Sequence, residues 1–124
     1  MTDRPAESAS DAPCLFCRIV AGAIPATVVR EDETTFAFRD VDPQAPTHVL
    51  VVPRRHVPTV AALAEQAPAE VAPLMAAVAA VAQQEGVAES GYRSVFNTGP
   101  DAQQSVFHAH VHVLGGRSMT WPPG

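Results

Sequence analysis

The chain has 124 residues, 47% of them hydrophobic and 17% charged, with 8 Lys and Arg against 13 Asp and Glu, proportions that fit one globular domain with a buried core. The formal net charge is −5 and the basic residues are scattered apart from Arg54-Arg55, which leaves no footprint for a nucleic-acid partner. The first dozen residues lack the basic start and apolar run of a secretory signal, and the most apolar stretch, 71–82, is broken by Pro73 and too short to cross a bilayer, so a cytoplasmic protein without membrane contact is expected.

Residues 1–12, rich in Ala, Ser, Asp and Glu without an apolar period, read as a mobile tail, leaving 13–124 as the domain. Over 14–21, Leu15 with Ile19 and Phe16 with Val20 fall at helical spacing, and Gly22 supplies a stop. Strand character follows at 27–29, 35–39 and 48–52, the last closed by Pro53, with Asp40-Val41-Asp42-Pro43 as a turn. Over 68–84, Val71, Leu74, Met75, Val78 and Val81 recur in steps of three and four, which predicts the main helix. Pro73, one turn after Pro68, removes a hydrogen bond there and predicts either a kink or a later start. Strands at 92–96 and 106–114 are joined by Asn97-Thr98-Gly99-Pro100-Asp101. Strands linked by short turns, with only two helices, predict an α+β domain: an antiparallel sheet with helices on one face.

The segment Phe107-His108-Ala109-His110-Val111-His112-Val113-Leu114 carries the chemistry. On a strand, alternate side chains share a face, so His108, His110 and His112 should project together at roughly 6.6 to 6.8 Å spacing, with Phe107, Ala109, Val111 and Val113 toward the core. Near neutral pH one imidazole can attack phosphorus while a neighbour donates to phosphate oxygens, which suits covalent nucleotidyl transfer. The same row also suits metal chelation.

The segment resembles the histidine-triad signature that names a family of nucleotide hydrolases and transferases. The stretches 14–25 and 38–55, Phe96-Asn97-Thr98-Gly99, Gln104-Ser105-Val106-Phe107-His108 and the terminal Leu114-Gly115-Gly116-Arg117-Ser118-Met119-Thr120-Trp121-Pro122-Pro123-Gly124 are similar to its nucleotide-binding (Hint) branch. The resemblance implies a five-stranded antiparallel sheet with two helices, paired edge to edge with a second copy into a ten-stranded sheet. It also implies that His110 is the nucleophile, that His112 holds the phosphate, and that Ser105 bonds the phosphate and assists the leaving amine. By the same resemblance Asn97 closes the pocket, His48 fixes a tautomer from behind, Asp40 takes the ribose hydroxyls, and Phe16, Ile19, Phe38 and Val41 wall the purine. Trp121 would lie near the partner's site. Ser105, Asn97, Asp40, His48, Phe16, Ile19, Phe38 and Val41 each also have an ordinary role open to them, as a turn, cap or core residue, and the segment at Trp121 can equally be a loose tail. One departure stands out: relatives usually carry Gly two positions before the serine, where this chain has Gln103, so a loop that brings backbone close to phosphate is altered.

Cys14-Leu15-Phe16-Cys17 has metal-ligand spacing, with His56 and His108 as candidate further donors. The resemblance implies that such a zinc is structural and that no cofactor serves catalysis; two free thiols are the other reading. The implied reaction is hydrolysis of purine nucleoside 5′-phosphoramidates, AMP or GMP amides and aminoacyl-adenylate-type substrates. Two alternatives stay open: a dinucleoside polyphosphate hydrolase or phosphorylase, and a non-catalytic nucleotide- or metal-binding interaction protein.

Overall fold

Cys14 opens the first helix of the computed structural model, which describes residues 13–124; the tail expected at 1–12 lies outside the described residues. The Cys14 Sγ accepts the Cys17 backbone N–H at 3.4 Å and so caps α1 (Leu15–Val20), which buries Phe16, Cys17 and Ile19. Gly22, at φ 80°, takes the left-handed conformation that lets the chain turn away from the helix.

Five strands follow: β1 (Val28–Glu31), β2 (Thr35–Arg39), β3 (Thr47–Pro53), β4 (Tyr92–Val95) and β5 (Val111–Gly115). They form one antiparallel sheet in the order β1-β2-β3-β5-β4. Every residue of β3 is buried because both faces of the sheet are covered. On one face Phe36, Phe38, Leu50 and Val52 pack with Phe16 and Ile19 of α1. On the other, Ala37, Val49, Val51, Val111 and Val113 pack against α2 (Val60–Gln66) and α3 (Val71–Gln84) through Leu63, Leu74, Ala77, Val78 and Val81. Alternation along each strand feeds the two cores separately.

Three expectations are corrected here. Among the described residues there are three α-helices, not two: α2, whose Thr59 Oγ1 accepts the Ala62 N–H at 3.0 Å, had no predicted counterpart. The helices do not share a face, since α1 covers the side opposite α2 and α3. The strand expected at 106–114 pairs only from Val111 onward, and 105–110 runs outside the sheet ladder. Phe107, expected in the core, is therefore 60% exposed. The main helix takes the later start rather than a kink. Residues Pro68–Glu70 form a 3₁₀ turn, and Pro73 falls in the first turn of α3, where an N–H has no helical partner to lose.

Candidate functional site

Register sets the geometry of the histidines. Leu50 pairs with His112 and His48 with Leu114, so His48 and His112 are diagonal neighbours on one face of β3 and β5. The His48 Nε2 and His112 Nδ1 are 2.9 Å apart. The backbone N–H of Gln44 donates to His48 Nδ1 at 3.0 Å, which places the His48 proton on Nε2. That proton is donated to His112 Nδ1, with Asp40 Oδ2 3.4 Å away beside it, so His112 in turn carries its proton on Nε2. Burial pushes His112 down to about 4, reinforced by His110 and His48, and burial also lowers His48 against the opposing pull of Asp40 and Asp42. Both rings are therefore neutral at physiological pH, and His112 offers an uncharged N–H.

His110 is fixed differently. Its Nδ1 lies 2.7 Å from the His108 carbonyl oxygen, which can only accept, so Nδ1 is the protonated nitrogen and Nε2 keeps a lone pair. Its ring stands edge-on to Phe16 at 5.0 Å and to His112 at 5.1 Å. A cavity of about 220 Å³ runs over both rings, lined also by Phe16, Asp40, Leu50, Asn97, Gln103, Gln104, Ser105 and Val106. A second, about 300 Å³ and mainly apolar, shares Phe16, Asp40 and Leu50 with it and adds Ile19, Ile24, Phe38 and Val41. The arrangement is a polar chamber with a lone-pair nitrogen and a donor, beside an apolar slot with which it shares Phe16, Leu50 and the Asp40 carboxylate.

His108 leaves this group. It is 0% exposed, and its Nε2 donates to the Pro53 carbonyl at 2.8 Å, which leaves Nδ1 as a lone pair. That nitrogen faces Cys14 Sγ at 3.4 Å, Cys17 Sγ at 3.5 Å and His56 Nδ1 at 3.2 Å, and Cys17 Sγ is 3.3 Å from His56 Nδ1. Tetrahedral zinc at ordinary bond lengths separates its ligand atoms by about 3.4 Å (N to N) and about 3.6 Å (N to S). The donors thus already stand near the corners of such a site. Burial, with Cys14 beside it, pushes the Cys17 thiol up to about 12, and burial drives His108 down to about 4. The neighbouring Asp40, His48 and His112 trio also comes close together, but there both His48 nitrogens and His112 Nδ1 are already engaged in hydrogen bonds.

A family model described as HIT domain matches residues 21–119. The chain is 52% identical to the 14 kDa zinc-binding protein of Zea mays, covering 92% of this chain and 90% of that one. It is 46% identical to the adenylylsulfatase HINT1 of Arabidopsis thaliana, over 96% of this chain and 82% of that one. The crystal structure of a HIT family hydrolase from Legionella pneumophila superposes with a TM-score of 0.85 at 50% identity, over 90% of this chain and 99% of that one. The chain belongs to the HIT-domain family. The triad of this HIT domain is thus divided between two sites: His110 and His112 line the chamber, and His108 closes the Cys/His cluster.

Most of the remaining residues singled out in the sequence also meet at the HIT chamber. Ser105, Asn97, Asp40 and Gln103 line it, and Ile19, Phe16 and Phe38 wall the apolar slot. Val41 reaches only the rim, 98% exposed. Trp121 lines neither space and is 81% exposed on this single chain. Gln103 holds the left-handed conformation, φ 65° and ψ 33°, the one non-glycine residue at positive φ among those described. The altered position is therefore one whose backbone still asks for glycine. Sequence reasoning missed Gln104 and Gln44. Buried Gln104 accepts the Gly99 N–H at 2.9 Å and donates to the Pro58 and Val106 carbonyls at 2.8 and 3.1 Å, shaping the loop that presents Ser105. Gln44 acts through its main chain, which no side-chain pattern reveals.

Proposed function

We propose that the chain is a nucleotidyl hydrolase that cleaves purine nucleoside 5′-phosphoramidates through a covalent intermediate on His110. The observation that carries this reading is the 2.7 Å bond from His110 Nδ1 to the His108 carbonyl, which leaves the Nε2 lone pair on the ring that lines the chamber. The base occupies the apolar slot between Phe16, Ile19 and Phe38, the ribose hydroxyls meet Asp40, and the phosphate lies at His112, Ser105 and Asn97. His110 Nε2 attacks phosphorus and the bond to the leaving nitrogen breaks, with the Ser105 hydroxyl passing a proton to the departing amine. The neutral His112 N–H stabilises the charge gathering on the phosphoryl oxygens. Water then attacks the nucleotidyl-histidine, releasing the nucleoside monophosphate, regenerating His110 and restoring the Ser105 proton. The Arabidopsis relative, named an adenylylsulfatase, fits the same first step with sulfate departing instead of an amine.

Cys14, Cys17, His56 and His108 would hold zinc, and the maize relative's name agrees with that donor set. Bound there, the metal supplies a cross-link between α1 and the segments that follow β3 and precede β5. The proposal includes a cytoplasmic homodimer joined at the free edge of β4, near which Tyr92, Phe96 and Trp121 stand exposed.

Rapid quenching with an AMP phosphoramidate followed by peptide mass spectrometry tests the chemistry. An AMP adduct on the peptide holding His110, absent from His110→Ala along with turnover, is expected. Faster turnover of diadenosine triphosphate than of the amide would transfer the assignment to dinucleoside polyphosphates. No turnover of either would leave a nucleotide-binding protein.

A further inference from the structure

We propose that His108 is a positioning residue through which the Cys/His cluster fixes the tautomer and aim of His110. One residue serves both centres. Its ring Nδ1 faces Cys14, Cys17 and His56 at 3.2 to 3.5 Å, and its backbone carbonyl accepts from His110 Nδ1 at 2.7 Å. Ladder pairing of β5 starts at Val111, so the sheet does not hold that carbonyl. Two bonds do: Ala109 N–H to the Val57 carbonyl at 2.8 Å, and His108 Nε2–H to the Pro53 carbonyl at 2.8 Å. The second is only as good as the ring is still. Rotation of the His108 ring about its side-chain bonds swings Nε2 off Pro53 and lets the 105–110 segment shift.

Without a metal, the ring's other nitrogen meets two thiols, which are weak hydrogen-bond partners, and the His56 ring at 3.2 Å, itself exposed and free to turn away. With a metal, Nδ1 is fixed by a coordination bond to groups carried on α1 and on the loop after β3, and the carbonyl is fixed with it. Cluster occupancy then decides whether His110 holds one tautomer, with its lone pair on Nε2, or exchanges between two. Outer partners of this kind typically change activity by about 10-fold or more.

Imidazole nitrogen spectra of the ¹⁵N-labelled full chain, without substrate, test this directly, with His110 signals assigned by their loss in His110→Gln. Zinc-loaded protein should show His110 as a single Nδ1–H tautomer; chelator-treated protein should show a mixture that returns to one form as zinc is titrated back. His56→Ala removes the exposed ligand without touching the core, and its His110 signals should follow zinc occupancy at higher zinc, even if chelation unfolds the wild type. The same pure tautomer in the loaded, chelated and His56→Ala proteins overturns the proposal. A kinetic arm rests on the phosphoramidase reading: kcat should fall about 10-fold on zinc removal while AMP inhibition is unchanged. Equal kcat with and without zinc overturns the coupling, whereas absence of turnover in every loading state overturns the reaction and leaves the spectra to decide the coupling.

Discussion

Lowering the pH should weaken the fold through His112. In the native chain its pKa is pushed down to about 4 from 6.5, chiefly by burial. The unfolded chain therefore binds more protons across that window, so stability is fully present above 6.5 and is lost as the pH falls toward 4. A shift of that size corresponds to about 3 kcal/mol, and allowing for the part of the ring that meets solvent leaves about 2 kcal/mol. His48 is lowered as well and acts in the same direction. Urea unfolding of chelator-treated protein at pH 7.5 and 4.5, compared with His112→Gln, isolates the effect from metal loss. The wild type should lose about 2 kcal/mol more than the variant between the two conditions. An identical pH dependence for the two would show that the His112 ring is not the buried, neutral group described.

Other consequences are as direct. Gln103→Gly removes a side chain from a left-handed backbone position and should raise the unfolding free energy by about 0.5 to 1 kcal/mol, measured by urea melts. Gly115→Ala sets a Cβ 2.9 Å from Val87 Cβ and Cγ1, so about 1 to 3 kcal/mol of overpacking should appear in the same assay.

Legibility in the sequence followed how local each constraint was. The stripe through Leu74, Val78 and Val81 and the apolar run of β3 depend on neighbours in sequence, and both emerged close to the expected places. The histidine row was read on the assumption of an extended strand from 106, and that assumption failed where the chain leaves the ladder to tuck His108 under Pro53. A tertiary anchor overrode strand propensity. The Cys/His cluster was readable as a donor set, but not the direction of each ring nitrogen, because that is fixed by carbonyls distant in sequence. The His48 to His112 contact likewise depends on strand register, which two separate apolar runs do not specify. The α2 segment Val60–Gln66 was missed because its signal is short: a Thr59 cap and only two buried side chains, Val60 and Leu63.

Each of the two clusters contains a pair of histidines, and the hydrogen bonds those rings already make separate them. Around His48 each ring nitrogen already has a partner, the Gln44 N–H on Nδ1 and His112 on Nε2, so a metal would have to break bonds that are already made. Around His108 the Pro53 carbonyl engages Nε2 and turns the Nδ1 lone pair toward His56 and two sulfurs, so a metal there replaces only weak contacts. Cobalt(II) added to the metal-free chain should accordingly bind one equivalent per chain, with the intense visible absorption of a tetrahedral site and thiolate-to-metal charge transfer. Because the Cys17 thiol is pushed up to about 12, binding must expel its proton, and affinity should rise as the pH is raised across the neutral range. Cys17→Ser should weaken the charge-transfer band to that of the one remaining thiolate, Cys14, and His48→Ala should leave it intact. A second equivalent lost specifically in His48→Ala, or an octahedral spectrum, would mean that the lone pairs are not disposed as these distances require.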